Sequence, residues 1–373
     1  MEQIVISGTG VFTPEESITN EELVKAYNEY AEKFNLSNKQ DIDSGKTDAL
    51  ELSNEEFIFN ASGIKNRYVM DKEGILDPEI MHPILDRRSD DQPSILAEMS
   101  IKAAEKALHE AGKTANDIDA VITACSNLER AYPAISIEVQ ELLGIEGFAF
   151  DMNVACSSAT FAIQAAADMI RSGSAKTILI VDPEICSGHL DFKDRDCHFI
   201  FGDVCTAMIL EKKSSSNSSN SFEILSTKCI TQFSNNIRNN FGFLNNAKQS
   251  GPLDRDMLFM QEGRKVFKEV VPMVSQLILD HLSDETIEID NVKRLWLHQA
   301  NKSMNDLIGK KVLGRTPEKD EQPNILQDYA NTSSAGSIIA FSQYSKDMNK
   351  DEIGVLCSFG AGYSAGSVIL RKT

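Results

Sequence analysis

The 373-residue sequence lacks any apolar run that approaches the length of a membrane span, and it lacks an excess of positive charge. A net charge of −19 argues against a nucleic-acid binder, because phosphate binding needs a cationic face, and any acidic partner would need a local basic patch. A secretory signal is also missing: "MEQIVISGTGVFTP" carries an early Glu2 and turns polar too soon, so a cytoplasmic location is expected. The cysteines do not pair into a disulfide framework. Cys125, Cys156, Cys186, Cys197, Cys205, Cys229 and Cys357 are an odd, scattered set that fits reduced thiols in a cell interior. The "SGTG" near the start has neither the third glycine nor the flanking context of a phosphate loop.

With 42% hydrophobic and 25% charged residues, the chain is of ordinary globular composition and long enough for two core-forming halves. Strand-like apolar runs alternate with helical patterns, which indicates an α/β architecture. Residues 94–112 place Ala97, Ile101, Ala104, Leu108 and Ala111 at helical spacing, with Ser94 as N-cap and Gly112 as stop. The run after Cys156, "ATFAIQAAADMIRSGSA", is apolar on nearly every side and predicts a helix buried inside the molecule. "DAVITAC" and "KTILIV" predict central strands. "EKKSSSNSSNS", residues 211–221, is expected to be a flexible surface connection between halves at 1–212 and 222–373. The second half follows the same logic of helix and strand and closes on two strands around a glycine-rich turn, although no residue-level repeat shows duplication.

Three stretches carry chemistry: "NVACSSAT" with Cys156, "WLHQANKSM" with His298 and "YANTSSAGS" with Asn331. A cysteine between a strand and a helix start faces main-chain N–H groups and the positive helix end, conditions that favour a thiolate. Cysteine, histidine and asparagine far apart in sequence can meet in a fold and suit covalent acyl chemistry. Each has a plain alternative: a buried structural cysteine, a hydrogen-bonded core histidine, a turn or cap asparagine. Cys186, His189, Cys197 and His198 include soft and imidazole ligands, but adjacent Cys197 and His198 point apart if they lie on a strand, so no zinc site is expected.

Together with their surroundings these stretches resemble the β-ketoacyl-ACP synthase III family of thiolase-fold condensing enzymes. The "SGTG" start, "ASGIKNRY", the Cys156 turn, "DRDCHFIFGD", "GRKVFK", "HQAN", "NTSSAGS" and "FGAGYSAGS" follow the family's order along nearly the whole chain. The resemblance implies a thiolase-like fold of two similar halves in layered α-β-α-β-α arrangement, and a homodimer. It implies a Cys156, His298, Asn331 catalytic set, an oxyanion hole from the N–H groups of Cys156 and Ala361, and no metal or other cofactor beyond CoA and ACP thioester substrates. Asn331 separates this set from the Cys-His-His of elongating enzymes. Cys357 lies one residue out of register with the second cysteine of degradative thiolases. Ala361 stands where the family usually has glycine, and a backbone donor survives that change.

Arg195 matches a family arginine that contacts the CoA nucleotide, and Phe57 falls where an adenine-stacking tryptophan is usual. A further family arginine is replaced by Ala61, and Arg264 stands where asparagine is common. Phe267 matches a residue lining the active-site tunnel, or is an ordinary helix core residue. Tyr132 matches a residue that reaches across the dimer interface toward the partner's acyl pocket. Lys302, Lys310 and Lys311 offer cations for an acidic carrier protein, or form a plain solvated face. Insertions at 28–56 and 71–94 suggest altered substrate access. Their wording resembles the medium-chain β-ketodecanoyl-ACP synthase branch, which implies condensation of octanoyl-CoA with malonyl-ACP to 3-oxodecanoyl-ACP in fatty acid biosynthesis. Two rivals remain: the same fold with another acceptor, as in olefin, alkylquinolone or polyketide starter enzymes, and a non-catalytic acyl-CoA or ACP binding module.

Overall fold

Runs rich in Val, Ile and Ala form nine strands of one sheet in a computed structural model that describes residues 2–240 and 255–373. In chain order they are β1 (Ile4–Phe12), β2 (Ala120–Ala124), β3 (Phe148–Met152), β4 (Thr177–Ile185), β5 (Asp203–Lys212), β6 (Phe222–Thr231), β7 (Val292–Leu297), β8 (Ile353–Gly360) and β9 (Ser364–Lys372). Across the sheet the order is β7-β8-β9-β6-β1-β5-β4-β2-β3. This order contains a duplication. The path β2-β4-β5-β1 is matched by β7-β8-β9-β6, and in each path the first pair is parallel and the next two antiparallel. Among the described residues, only the edge strand β3 has no counterpart. The halves join where β1 and β6 pair antiparallel, with Ile6 opposite Phe222.

Alternation along each strand sends side chains to two different cores. From β2, Ile122 faces the middle of the molecule, where helices Ser158–Ser172 and Ala335–Gln343 pack Ile163, Ala166, Ile338 and Phe341 between the two half-sheets, against Trp296 and Leu356 on the far side. Val121 faces the opposite way, under helices Ile95–Ala111 and Ile135–Leu143. In the second half Leu295, Val355 and Ile369 lie under helices Gly263–Asp284 and Lys302–Leu313. The result is the layered α-β-α-β-α arrangement.

Local signals behave as expected at Ser94, whose side chain caps Ala97 N–H, and at Gly112, which ends the helix in the left-handed region at φ 63°. Others differ. The "SGTG" lies inside β1, where a Cβ on Gly10 would meet Ala103 O at 2.0 Å, so its glycines serve close packing of helix Ile95–Ala111 on the sheet. The polar run 211–221 starts within β5: Glu211 is buried and paired with Lys113 at 2.8 Å. Cys197 and His198 sit on a turn, each donating its N–H to Asp194 O, and not on a strand. Among the described residues no three His, Cys, Asp or Glu side chains form a metal-holding group.

The first insertion, 28–56, continues helix Asn20–Ser37, which Thr19 and Glu22 start with a reciprocal capping box. Leu23, Tyr27 and Ala31 of this helix pack with Ile58, Phe192, Phe199 and Phe201, forming a cap over the segment after β4. The second insertion, 71–94, closes one side of a cavity of about 1070 Å³ whose other side is the loop at 127–133.

Replacing Gly10 with Val is expected to destabilise the fold by about 1–3 kcal/mol through overpacking against helix Ile95–Ala111, seen as a lowered Tm. An unchanged Tm would contradict the packing role given to β1.

Candidate active site

The duplication sets two loops at equivalent places, each leading into one of the two central helices. Cys156 precedes helix Ser158–Ser172, and Asn331 precedes helix Ala335–Gln343. Both loops carry residues in the left-handed region, Ala155 at φ 48° and Ala330 and Ser333 at φ 56° and 51°, where non-glycine backbone is strained. Ser158 Oγ holds the first turn by accepting from Val154 N–H and donating to Ala155 O.

Gly360, at the end of β8, lies against the cysteine: a Cβ there would be 2.6 Å from Cys156 Cβ and 2.9 Å from Sγ. Its neighbour Ala361 directs its main-chain N–H at the sulfur, as does the N–H of Cys156 itself. The two N–H groups assigned to the oxyanion hole thus face the same sulfur. The methyl group of Ala361 leaves this donor in place.

His298 follows β7 and is anchored by its N–H to Cys357 O at 2.8 Å and by Asn305 Nδ2 to its own carbonyl at 2.9 Å. Its ring stands edge-on to Phe359, at 5.2 Å and 90°, and its Nδ1 has no partner. Asn331 is held by N–H to Ile200 O and by Gly202 N–H to its carbonyl, both 3.0 Å. Its Oδ1 accepts from Ser333 N–H at 2.9 Å, which leaves the amide NH₂ as its available donor.

Ser333 acts on all three groups: its N–H donates to Asn331 Oδ1, its main chain opposes the lowering of His298, and its hydroxyl opposes the raising of the Cys156 thiol. The sequence reading quoted "NTSSAGS" and used only its asparagine; the paired serines after a strained turn were the missed signal.

Burial sets the resting electrostatics. It pushes the Cys156 thiol up to about 11, opposed by the Ser333 hydroxyl and the Ala361 N–H and reinforced by nearby Glu184. Burial likewise lowers His298 to about 4, against the Ser333 main chain. At neutral pH the site therefore rests as neutral thiol and neutral imidazole, not as the ionised cysteine that the helix end suggested. Desolvation of the sulfur outweighs the partial charge of the helix terminus.

Outside this cluster the matches differ in kind. The Arg195 guanidinium lies over the Phe57 ring, 4.1 Å from its centroid, and Nε donates to Leu52 O at 2.9 Å. The two side chains touch each other, so a base enters between them only if one moves. Arg264 is exposed in the first turn of its helix, and Phe267 packs against the core beside it. Tyr132 is 85% exposed. Lys302 pairs with Asp306 at 2.5 Å, whereas Lys310 and Lys311 are exposed with no ion pair among the described residues.

Sheet order, central helices and a half-buried cysteine beside two main-chain donors define a thiolase-like condensing enzyme. Profiles of 3-oxoacyl-[acyl-carrier-protein] synthase III match residues 150–232, and those of its C-terminal part match residues 282–372. A β-ketodecanoyl-[acyl-carrier-protein] synthase of Pseudomonas aeruginosa is 58% identical over 94% of this chain and 100% of its own. A β-ketoacyl-[acyl-carrier-protein] synthase III of Granulibacter bethesdensis is 28% identical, with both chains fully covered. The crystal structure of 3-oxoacyl-[acyl-carrier-protein] synthase III from Aquifex aeolicus superposes with a TM-score of 0.77 at 24% identity, covering 99% of each chain. The chain belongs to the β-ketoacyl-ACP synthase III family and is an acyl-transferring condensing enzyme.

In the unliganded enzyme, alkylation of Cys156 by iodoacetamide is expected to quicken about tenfold per pH unit and to keep rising beyond the range of an ordinary thiol, because the thiolate is scarce below about pH 11. A plateau at neutral pH would contradict the neutral resting state.

Proposed function

We propose that this enzyme transfers a medium-chain acyl group, octanoyl, from CoA to Cys156 and condenses it with malonyl-ACP to give 3-oxodecanoyl-ACP in fatty acid biosynthesis. The observation that carries the chemistry is the convergence of Cys156, His298 and Asn331 on Ser333, with two N–H groups aimed at the sulfur. The chain-length assignment draws on the 58% identical relative, whose name specifies a ten-carbon β-ketoacyl product.

In the first half-reaction Cys156 Sγ attacks the thioester carbonyl while the N–H groups of Cys156 and Ala361 hold the developing oxyanion, and CoA leaves. Malonyl-ACP then occupies the site. His298 and the Asn331 amide donate to its thioester carbonyl, and the electron pair released with carbon dioxide forms an enolate. The enolate carbon attacks the acyl-cysteine and frees Cys156. Each step uses protein groups and thioester substrates alone, so the reading calls for no metal or redox cofactor.

Arg195 and Phe57 are suited to the CoA nucleotide once they part, and Arg264 is free to meet phosphate. Exposed Lys310 and Lys311, with Lys302, give an otherwise acidic protein a basic landing point for a carrier protein. A homodimer suits the open edge of β3, where exposed Phe148 lies with Tyr132, Ile137 and Leu142 as apolar surface. No described helix is long and apolar enough to cross a membrane, which fits an enzyme working in the cytoplasm on soluble substrates.

Intact-protein mass spectrometry after mixing with acyl-CoAs from acetyl to dodecanoyl tests this reading. The largest mass gain is expected with octanoyl and none in Cys156→Ala; addition of malonyl-ACP, and not malonyl-CoA, should then release 3-oxodecanoyl product. Acetyl-only loading would overturn the chain-length assignment, and loading of Cys156→Ala would overturn the role of Cys156.

A further inference from the structure

The two N–H groups assigned to the oxyanion hole come from opposite halves of the duplicated fold, Cys156 from the turn before helix Ser158–Ser172 and Ala361 from the turn between β8 and β9. Within each turn the main chain is well held. The peptide that carries the Cys156 N–H has Ala155 O on its other side, and this oxygen accepts from Ser158 Oγ at 2.7 Å and from Ser158 N–H at 3.0 Å. Ahead of Ala361, Gly360 is paired with Ser364 in the sheet. An oxyanion must meet both donors at once, so what matters further is the spacing between the turns.

Two buried hydroxyls join them, those of Ser157, directly after the cysteine, and Ser364, the first residue of β9. Ser364 Oγ lies 3.1 Å from Val154 O in the cysteine turn, 2.9 Å from Ala361 O in its own turn and 3.0 Å from Ser157 Oγ. Ser157 Oγ lies 3.0 Å from Ser364 O. Apart from the Ala361 N–H that faces the sulfur, every hydrogen bond between residues 154–157 and 360–364, among the described residues, passes through one of these hydroxyls.

Each hydroxyl has one hydrogen to give. With Ser157 donating to Ser364 O, the Ser364 hydrogen sits between a carbonyl of one turn and a carbonyl of the other and is attracted to both. The close contact of Gly360 with Cys156 limits how near the turns approach, but it has no direction. The hydrogen bonds supply direction. Ser364 is suited to this because its main chain pairs with Gly360 on one side and with Thr231 of β6 on the other, so its hydroxyl stands on a rigid strand.

We propose that Ser364, assisted by Ser157, is a positioning residue of the oxyanion hole that clasps the Cys156 and Ala361 turns at the separation where both N–H groups reach one oxygen. This rests on the reading of Cys156 as acyl acceptor. The hydroxyls exchange no proton with substrate and act through the two turns. Their effect is therefore confined to steps in which charge develops on a carbonyl oxygen beside Cys156, such as attack of the sulfur on an acyl thioester. Alkylation of the same sulfur by iodoacetamide displaces iodide from a CH₂ group and develops no such charge.

The test compares these two reactions of Cys156 in wild type, Ser364→Ala and Ser157→Ala: loading from octanoyl-CoA by rapid-quench mass spectrometry, and alkylation by iodoacetamide at the same pH, with Tm measured for each. Ser364→Ala is expected to load about 10²-fold more slowly at saturating octanoyl-CoA, with unchanged half-saturation, and to be alkylated at the wild-type rate. Ser157→Ala, which keeps both Ser364 carbonyl contacts, is expected to load about tenfold more slowly with alkylation likewise unchanged. Wild-type loading in Ser364→Ala, or loading and alkylation slowed alike, would overturn the proposal. If Ser364→Ala does not fold, Ser157→Ala decides by the same comparison. A wild-type enzyme that is alkylated at Cys156 but takes up no acyl-CoA would instead remove the reading of Cys156 as acyl acceptor.

Discussion

The site depends on a single strained turn. Ala330 and Ser333, both in the left-handed region, bend the chain on either side of Asn331 so that one serine donates its N–H to the asparagine and acts on the histidine through its main chain and on the cysteine through its hydroxyl. Non-glycine residues held there cost roughly 1–3 kcal/mol each and persist only where the surroundings dictate them. Here the surroundings are the main-chain bonds of Asn331 to Ile200 and Gly202 and the buried helix Ala335–Gln343 that starts directly afterwards.

That turn exists because the fold is duplicated. Each half sends a loop into a buried central helix between the two half-sheets, and the two loops end within reach of each other. One supplies Cys156, the other Asn331, and the strand end beside them supplies His298. Close packing then refines the distances: Gly360 is the place where β8 passes so near the cysteine that no side chain fits.

Much of this was legible in the sequence. The alternation of apolar runs, the Ser94 and Gly112 boundaries and the buried character of helix Ser158–Ser172 follow from periodicity and capping, which act locally. The pairing of β1 with β6 and the matched strand orders were not legible, because duplication survives in topology after residue similarity has gone. What the "SGTG" glycines do, and where the polar run at 211–221 begins, were not legible for a related reason. What matters at Gly10 is the neighbouring helix, and at Glu211 the distant Lys113, and neither is visible along the chain. Asp182 and Glu184 were not singled out in the sequence; burial without cationic partners among the described residues marks them out.

Burial also explains why the resting site is neutral although its chemistry is ionic. A desolvated thiol and imidazole hold no charge until a thioester arrives, which guards the cysteine against side reactions. The account's central claim is a division of labour, with Cys156 carrying the acyl group and His298 and Asn331 serving decarboxylation. Measuring the two half-reactions separately in His298→Ala and Asn331→Ala tests it most directly. The account predicts that both variants still load octanoyl onto Cys156 and fail to release carbon dioxide from malonyl-ACP; variants that decarboxylate normally but cannot be loaded would contradict it.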